Sequence, residues 1–361
     1  MDMKTLQKSY SKDIHLDTDV LPFGRFNRDK LLKAKQLLEV VGKYVNKITD
    51  YRRDRTEKTQ EQKQEHQADC EKVSELSSEY FQLIPQKNFV YESLRPLDQE
   101  RQFQRQFQLV TNLLDFEVAS RMLLGAMHRK DTLNPVDYVY QSLRCKLELM
   151  KEEDPMAQCI LRYVYISSPR AQVEAIYKVE RGGEEDRLRK SLIDNRRYLW
   201  HGTDLGNMLS ILNRGLVVTP LDSNLSGDLY GKGIYFSDLF EKSERYCASY
   251  SSDSGAHIPC FMLLCEAALG KQRLVLSDPM TDADKKSGYN STYVPGYHTL
   301  DPAYDVRFPS GVMMPLGDKS TDYYYEDPKT GERHRKSRWE SEFVVYNENQ
   351  VCIRYLVQFR K

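Results

Sequence analysis

The 361-residue sequence predicts an α+β protein in two parts, an N-terminal all-α helical bundle over residues 1–150 and a mainly antiparallel α+β domain over residues 151–361. Two observations predict it. Through the first part, apolar residues recur at steps of three and four, the period of one helix face. Past Pro155 the texture changes to short β-like runs divided by turn-prone clusters, with few helices between them. That pattern fits an antiparallel sheet better than a doubly wound one.

Leu31, Ala34, Leu38, Val41, Val45 and Ile48 draw one stripe between Asp29 and Asp50, and Asp29 stands where an N-cap is expected. Tyr51 to Lys72 is charged and Gln-rich, so it reads as a solvated helix extension or a loop. Phe81-Gln82-Leu83-Ile84 is apolar again, and Pro85 stops it. A further helix is expected from about Arg101 to Met127, carried by Phe103, Phe107, Val110, Leu113, Leu114, Val118, Met122 and Leu123.

In the second part, Val173, Ala175, Tyr177 and Val179 alternate with Glu174, Lys178 and Glu180, as in a strand with one wet face; Ile176 breaks the pattern. Further strands are expected at Tyr198–His201, Gly233–Phe236, Cys260–Glu266, Glu342–Tyr346 and Val351–Phe359. Asp222-Ser223-Asn224, Ser226-Gly227-Asp228 and Glu326-Asp327-Pro328 punctuate them as turns.

Lys+Arg and Asp+Glu both total 53, so the chain carries no basic surplus with which to grip nucleic acid along its length. Arg333, His334, Arg335, Lys336 and Arg338 form a dense basic run, expected to be a solvated loop. The seven cysteines are odd in number and include no Cys-x-x-Cys pair, which argues for reduced thiols rather than a disulfide framework or a zinc site. No run approaches the ~18 apolar residues of a membrane span, and the N-terminus lacks signal-peptide character. A soluble intracellular protein is expected.

Three segments draw attention as chemistry: Tyr198-Leu199-Trp200-His201-Gly202-Thr203, Gly231-Lys232-Gly233-Ile234-Tyr235-Phe236-Ser237-Asp238, and Glu342-Phe343-Val344-Val345-Tyr346. Singly, each has a bland reading as a structural imidazole, a loop lacking P-loop spacing, or a surface carboxylate. In this order and separation they resemble the His-Tyr-Glu signature of the poly(ADP-ribose) polymerase catalytic domain. The resemblance continues in Glu241 to Cys247 and Gln350 to Leu356. It reaches the helical half at Leu21-Pro22-Phe23-Gly24, Phe81 to Pro85, Asn112 to Ala119 and Asn134-Pro135, which look like the regulatory helical domain of the DNA-dependent branch.

The resemblance implies an ADP-ribosyltransferase that takes NAD+ as substrate without a metal, releases nicotinamide and modifies protein acceptors. Polymer elongation is favoured, with single-unit transfer or a non-catalytic NAD-binding module as alternatives. His201, Tyr235 and Glu342 would be the catalytic set. Gly202 would bind the nicotinamide amide through its backbone and Ser243 through its hydroxyl. Tyr246 and Tyr235 would sandwich the ring, and His201, assisted by Thr203, would bind the adenosine ribose. Glu342 would bind the nicotinamide ribose and polarise the acceptor hydroxyl, and Lys242 would shape the acceptor end. By the same resemblance the helical half acts as a lid, the protein is nuclear or also cytoplasmic, it serves the DNA damage response, and DNA acts only through modules absent from this chain. Val217 departs from the pattern where relatives place an arginine near the adenine, and Gln108 and Thr111 stand where acidic residues are common. The loop from Asp318 to Trp339 is longer than usual in the family and is expected to help choose the acceptor.

Overall fold

The computed structural model describes residues 27–86, 95–218, 230–247, 259–276, 288–326 and 330–360. The motif at Leu21–Gly24 and the turns expected at 222–228 lie outside the described residues, as do Asp327 and Pro328. One compact unit ends at Val139; the other comprises Tyr140–Val218 and the described residues from 230 onward.

In the first unit, α1 (Arg28–Arg53) is capped by Asn27, whose side chain accepts from the amides of Asp29 and Lys30. Asp29, expected as the cap, occupies the first turn, where its charge suits the positive end of the helix. All six residues of the expected stripe are buried. The charged stretch after Tyr51 proves to be a break at residues 54–59 followed by α2 (Gln60–Leu83). A reciprocal capping box of Thr59 and Gln62 starts α2, so two orphan amides find partners where the chain re-enters helix. It ends just ahead of Pro85. α3 (Glu100–His128) buries Phe103, Phe107, Val110 and Leu113, and α4 (Pro135–Leu143) carries the chain across the boundary between the units.

The second unit opens with β1 (Cys145–Leu149), inside the interval expected to be helical, and continues with α5 (Pro155–Ser167), β2 (Gln172–Arg181) and α6 (Glu184–Lys190). Next come β3 (Arg196–Gly202), α7 (Leu205–Arg214), β4 (Ile234–Phe236), α8 (Phe240–Glu244), β5 (Cys260–Ala268) and β6 (Gln272–Leu274). Then follow β7 (Ser291–Val294), β8 (Gly296–Leu300), β9 (Val306–Arg307), β10 (Met313–Met314) and β11 (Lys319–Thr321). The chain finishes with β12 (Tyr324–Glu326), β13 (Arg333–Arg335), β14 (Arg338–Glu340), β15 (Glu342–Val345) and β16 (Val351–Arg360).

Two larger sheets result. One has seven strands in the order β1-β2-β16-β5-β3-β10-β9, and the other has four in the order β4-β15-β7-β6. Only the β3–β10, β8–β14 and β6–β7 pairings are parallel among the described strands, so the domain is mainly antiparallel as expected. β16 lies inside the larger sheet, between β2 and β5, with Ile353, Val357 and Phe359 buried. Ile176, the exception to the alternation in β2, is itself a core residue, clustering with Ile160 and Val164 of α5. The basic run is not one solvated loop: it forms β13 and β14, and Lys336 between them is buried. All seven cysteines are free thiols. No helix among the described residues is long and apolar enough to cross a membrane.

A charged knot fixes one face of the larger sheet. Glu266 on β5 is buried and receives Arg196 at 2.7 Å from β3 and Arg354 at 2.7 Å from β16. A buried carboxylate is tolerable only when its charge and lone pairs are met, and removing it leaves Arg196 with the Ser310 carbonyl and Arg354 with Glu185 alone. Glu266→Ala is therefore expected to cost about 3–5 kcal/mol in chemical denaturation; a loss below about 1 kcal/mol would contradict a structural role for the pair.

Candidate functional site

The site begins with a splice between the two sheets. Trp200 of β3 exchanges both backbone hydrogen bonds with Ser237, just past β4, at 2.8 and 3.0 Å. The Trp200 side chain is fully buried, packed 4.8 Å from the Tyr163 ring and edge-on to Phe240 at 5.1 Å. His201, the next residue along β3, is set against β4, and β15 aligns antiparallel to β4 with Phe343 opposite Phe236. Glu342, one residue earlier, therefore falls at the same end of β4 as the bridge, and Ser237 Oγ donates to the Ser341 carbonyl at 3.3 Å.

His201 Nδ1 lies 2.9 Å from the Tyr235 carbonyl oxygen. A carbonyl only accepts, so Nδ1 carries the proton. Burial lowers the imidazole below its ordinary range, leaving it neutral at neutral pH with Nε2 as a hydrogen-bond acceptor. Tyr235 donates its hydroxyl to the Gly231 carbonyl at 2.6 Å and accepts from the Tyr230 amide, which ties its ring to the turn that precedes β4.

Gly202 ends β3 under the carbonyl of Ser243. A Cβ there would lie 1.8 Å from Ser243 O, so only glycine permits the approach. Ser243 is buried in α8 and its hydroxyl donates to the Trp200 carbonyl at 3.2 Å. Thr203 follows, its Oγ1 accepting from Asn207 Nδ2 at 3.2 Å.

Lys242 of α8 reaches the Glu342 carboxylate, Nζ to Oε1 2.8 Å, and also donates to the Ser341 carbonyl at 3.1 Å. Burial lowers the Lys242 ammonium from its ordinary range, and the Glu342 charge opposes that shift. Glu342 Oε2 makes no hydrogen bond among the described residues. Tyr246, 63 % exposed, has its phenol raised by partial burial and then by the nearby Glu342 charge. The structure thus gathers His201, Gly202, Ser243, Tyr235, Lys242 and Glu342 around the end of β4, with Thr203 and Tyr246 at its margins.

Sequence reasoning assigned no part to three groups here. Ser341 is fully buried, its carbonyl accepting from Lys242 and its hydroxyl from the Gly296 amide. Arg245 pairs with Glu340, pinning the end of α8 to β14. Asp238 is buried, with Oδ1 lacking a partner among the described residues, and desolvation pushes its carboxyl up to about 6 against the pull of Lys242 and Arg197. Nothing in a linear Ser-Asp pair announces that burial.

No metal-holding cluster of His, Cys, Asp and Glu occurs among the described residues. A separate cleft of about 770 Å³ lies between α6 and the face of the larger sheet that carries Glu266, Arg196 and Arg354. It is lined by none of His201, Gly202, Tyr235, Lys242, Ser243 and Glu342, and the Glu266 carboxylate in its wall is already met by two arginines.

The family profile of the poly(ADP-ribose) polymerase catalytic domain matches residues 158–361, and that of the regulatory domain matches residues 1–140. Poly [ADP-ribose] polymerase tankyrase of Caenorhabditis elegans is 30% identical over 99% of this chain, which covers 15% of that protein. Poly [ADP-ribose] polymerase 2-A of Oryza sativa subsp. japonica is 28% identical over 98% of the chain and 49% of its own length. The human protein mono-ADP-ribosyltransferase PARP3 is 26% identical over 98% of the chain and 62% of its own length. The chain therefore spans less than two thirds of each of these relatives.

Two outcomes test the geometry. Gly202→Ala drives a methyl group into the Ser243 carbonyl, so β3 and α8 must separate; a loss of about 1–3 kcal/mol is expected in thermal or chemical unfolding, and an unchanged midpoint would contradict the close approach. For Asp238 the folded value lies above the unfolded one, so the native state binds the proton more tightly and loses stability as pH rises from about 4 through 6. Asp238→Asn should gain up to about 3 kcal/mol over wild type at pH 8 and nothing at pH 4; a gain that is independent of pH would rule out the buried carboxylate as its source.

Proposed function

The chain belongs to the poly(ADP-ribose) polymerase family, and from that premise we propose that it is an NAD+ ADP-ribosyltransferase. NAD+ is its substrate, protein side chains are its acceptors, and the nucleus is its compartment. The observation that carries the reading is the Glu342 carboxylate, anchored by Lys242 beside His201 and Tyr235.

In this reading the nicotinamide carboxamide meets the Gly202 backbone, which the absence of a Cβ lets lie close against Ser243. The Ser243 hydroxyl donates to Trp200 O and keeps acceptor lone pairs for the carboxamide. Tyr235 and Tyr246 flank the flat ring. His201 Nε2, free to accept, takes a ribose hydroxyl of the adenosine half, with Thr203 beside it.

The bond between nicotinamide nitrogen and ribose C1′ breaks with both electrons going to the ring, so nicotinamide leaves neutral and positive charge develops on the ribose. Glu342 meets that charge and binds a ribose hydroxyl, while Lys242 holds the carboxylate in place. The acceptor oxygen then bonds C1′ and its proton passes to Glu342 as base. With His201, Tyr235 and Glu342 all present, elongation by successive transfers is favoured over single transfer; each added unit presents a new hydroxyl to the same carboxylate.

Incubation with labelled NAD+ tests this directly. Glu342→Gln keeps the shape of the side chain and removes the base, so nicotinamide release should fall by about 10²-fold or more with NAD+ binding retained. Wild type should give a ladder of products. A variant within about twofold of wild type would overturn the assignment of Glu342, and one sharp wild-type product would replace elongation by single transfer.

A further inference from the structure

The hairpin and strands that lead into Glu342 carry a surface that the proposed chemistry does not use. Trp339 on β14 is 64 % exposed and Tyr323 before β12 is 53 % exposed. They are not scattered. The Tyr297 ring of β8 stands edge-on to Trp339 at 5.5 Å and 5.1 Å from Tyr323, and His298 stacks on Trp339 at 5.9 Å with a 22° interplanar angle. Backbone pairing sets the array: β8 runs between β14 and β11, and the Lys336 amide donates to the Tyr323 carbonyl at 3.0 Å. The rings therefore cluster before any ligand arrives, which lowers the ordering cost of binding to them.

Beside the array, Arg333 lies over the Tyr324 ring at 4.7 Å. Arg333 and Arg335 are exposed and make no ion pair among the described residues. Glu326 stands opposite Arg333 in the hairpin, and Glu332 and Asp322 are close in sequence, so the excess of positive charge is small. Stacking, assisted by two guanidinium groups, is what this surface offers. Arg338 is committed elsewhere, its Nε donating to the Tyr230 hydroxyl at 2.6 Å.

Trp339 stands three residues before Glu342, which bounds the distance between their Cα atoms at about 10 Å. A ligand on the rings is thus within reach of the acceptor end of the site. We propose that Tyr297, Tyr323, Trp339 and the flanking Arg333 and Arg335 form an exosite for an acceptor already bearing ADP-ribose, a chain of glycosidically joined units that each carry an adenine and a pyrophosphate. This rests on the transferase reading above. Each unit supplies a purine to stack and phosphate charge for an arginine, and the transferase produces that ligand beside the surface. Holding the growing chain keeps its end near Glu342 and favours further addition over release.

The test measures binding and product length separately, on the full chain. Fluorescent ADP-ribose oligomers long enough to span several rings are titrated into wild type, Trp339→Ala, Trp339→Phe and the Arg333→Ala/Arg335→Ala double variant. Losing one stacked base should weaken oligomer binding roughly ten-fold in Trp339→Ala, with Trp339→Phe largely restoring it. The arginine variant should weaken binding and flatten its dependence on salt. In labelled NAD+ the Trp339→Ala products should shorten while the initial rate of nicotinamide release stays within about twofold. Unchanged oligomer affinity in Trp339→Ala overturns the exosite, as does single-stranded oligoadenylate binding as tightly as the ADP-ribose oligomer. Because the oligomers are added ready-made, a wild type that releases no nicotinamide sinks the transferase reading without touching the binding result.

Discussion

Two backbone hydrogen bonds between Trp200 and Ser237 decide where everything else in the site lies. They join a strand of the seven-stranded sheet to the end of β4 in the four-stranded one, and both strands bring candidate site residues to the join. His201 is next to the bridge on one side. The β4–β15 register brings Glu342 to it on the other, and the short helix α8 that follows delivers Lys242 and Ser243. The indole of Trp200, buried against Tyr163 and Phe240, is the packing that holds the bridge shut. Three segments distant in sequence meet because sheet pairing, with its period of two, leaves little freedom of register once one face is buried.

The electrostatics follow from the same join. Burial keeps His201 neutral, so it offers a lone pair rather than a charge. Glu342 has the ammonium of Lys242 at 2.8 Å. Lys242 is itself held by the Ser341 carbonyl, and the buried carboxyl of Asp238, four residues earlier in the chain, is near enough to act on its charge. In the proposed reaction, a carboxylate answering a positive charge that develops on a sugar gains from a partner that fixes its position, because no reorganisation is then spent at the moment of bond breaking.

Much of the fold was legible in the sequence where local periodicity carries it. The stripe from Leu31 to Ile48 and the core of α3 are helical rows, and β16 reads as a strand because β-branched and aromatic residues fill it. The cap at Asn27 rather than Asp29 was not distinguishable, since either short polar side chain suits the position. The short strands β1, β9 and β10 were invisible, because their identity lies in the partner and not in the run. Ile176 broke an alternation that assumed a wet face, yet the chain buries it in the core cluster of α5. Of the site, the three motifs were recognisable as a set. The Trp200–Ser237 bridge, the burial of Asp238 and the Arg245–Glu340 pair were not, since each depends on where a distant segment lands.

The central claim is one of convergence: an imidazole, a phenol and a carboxylate from three strands face a single dinucleotide. A crystal structure of the chain with a non-hydrolysable NAD+ analogue tests it most directly. The account predicts the carboxamide within hydrogen-bond distance of the Gly202 backbone, and a ribose hydroxyl within about 3 Å of Glu342. An analogue seated elsewhere, or lying across β4 with the Glu342 carboxylate turned from its ribose, would contradict it.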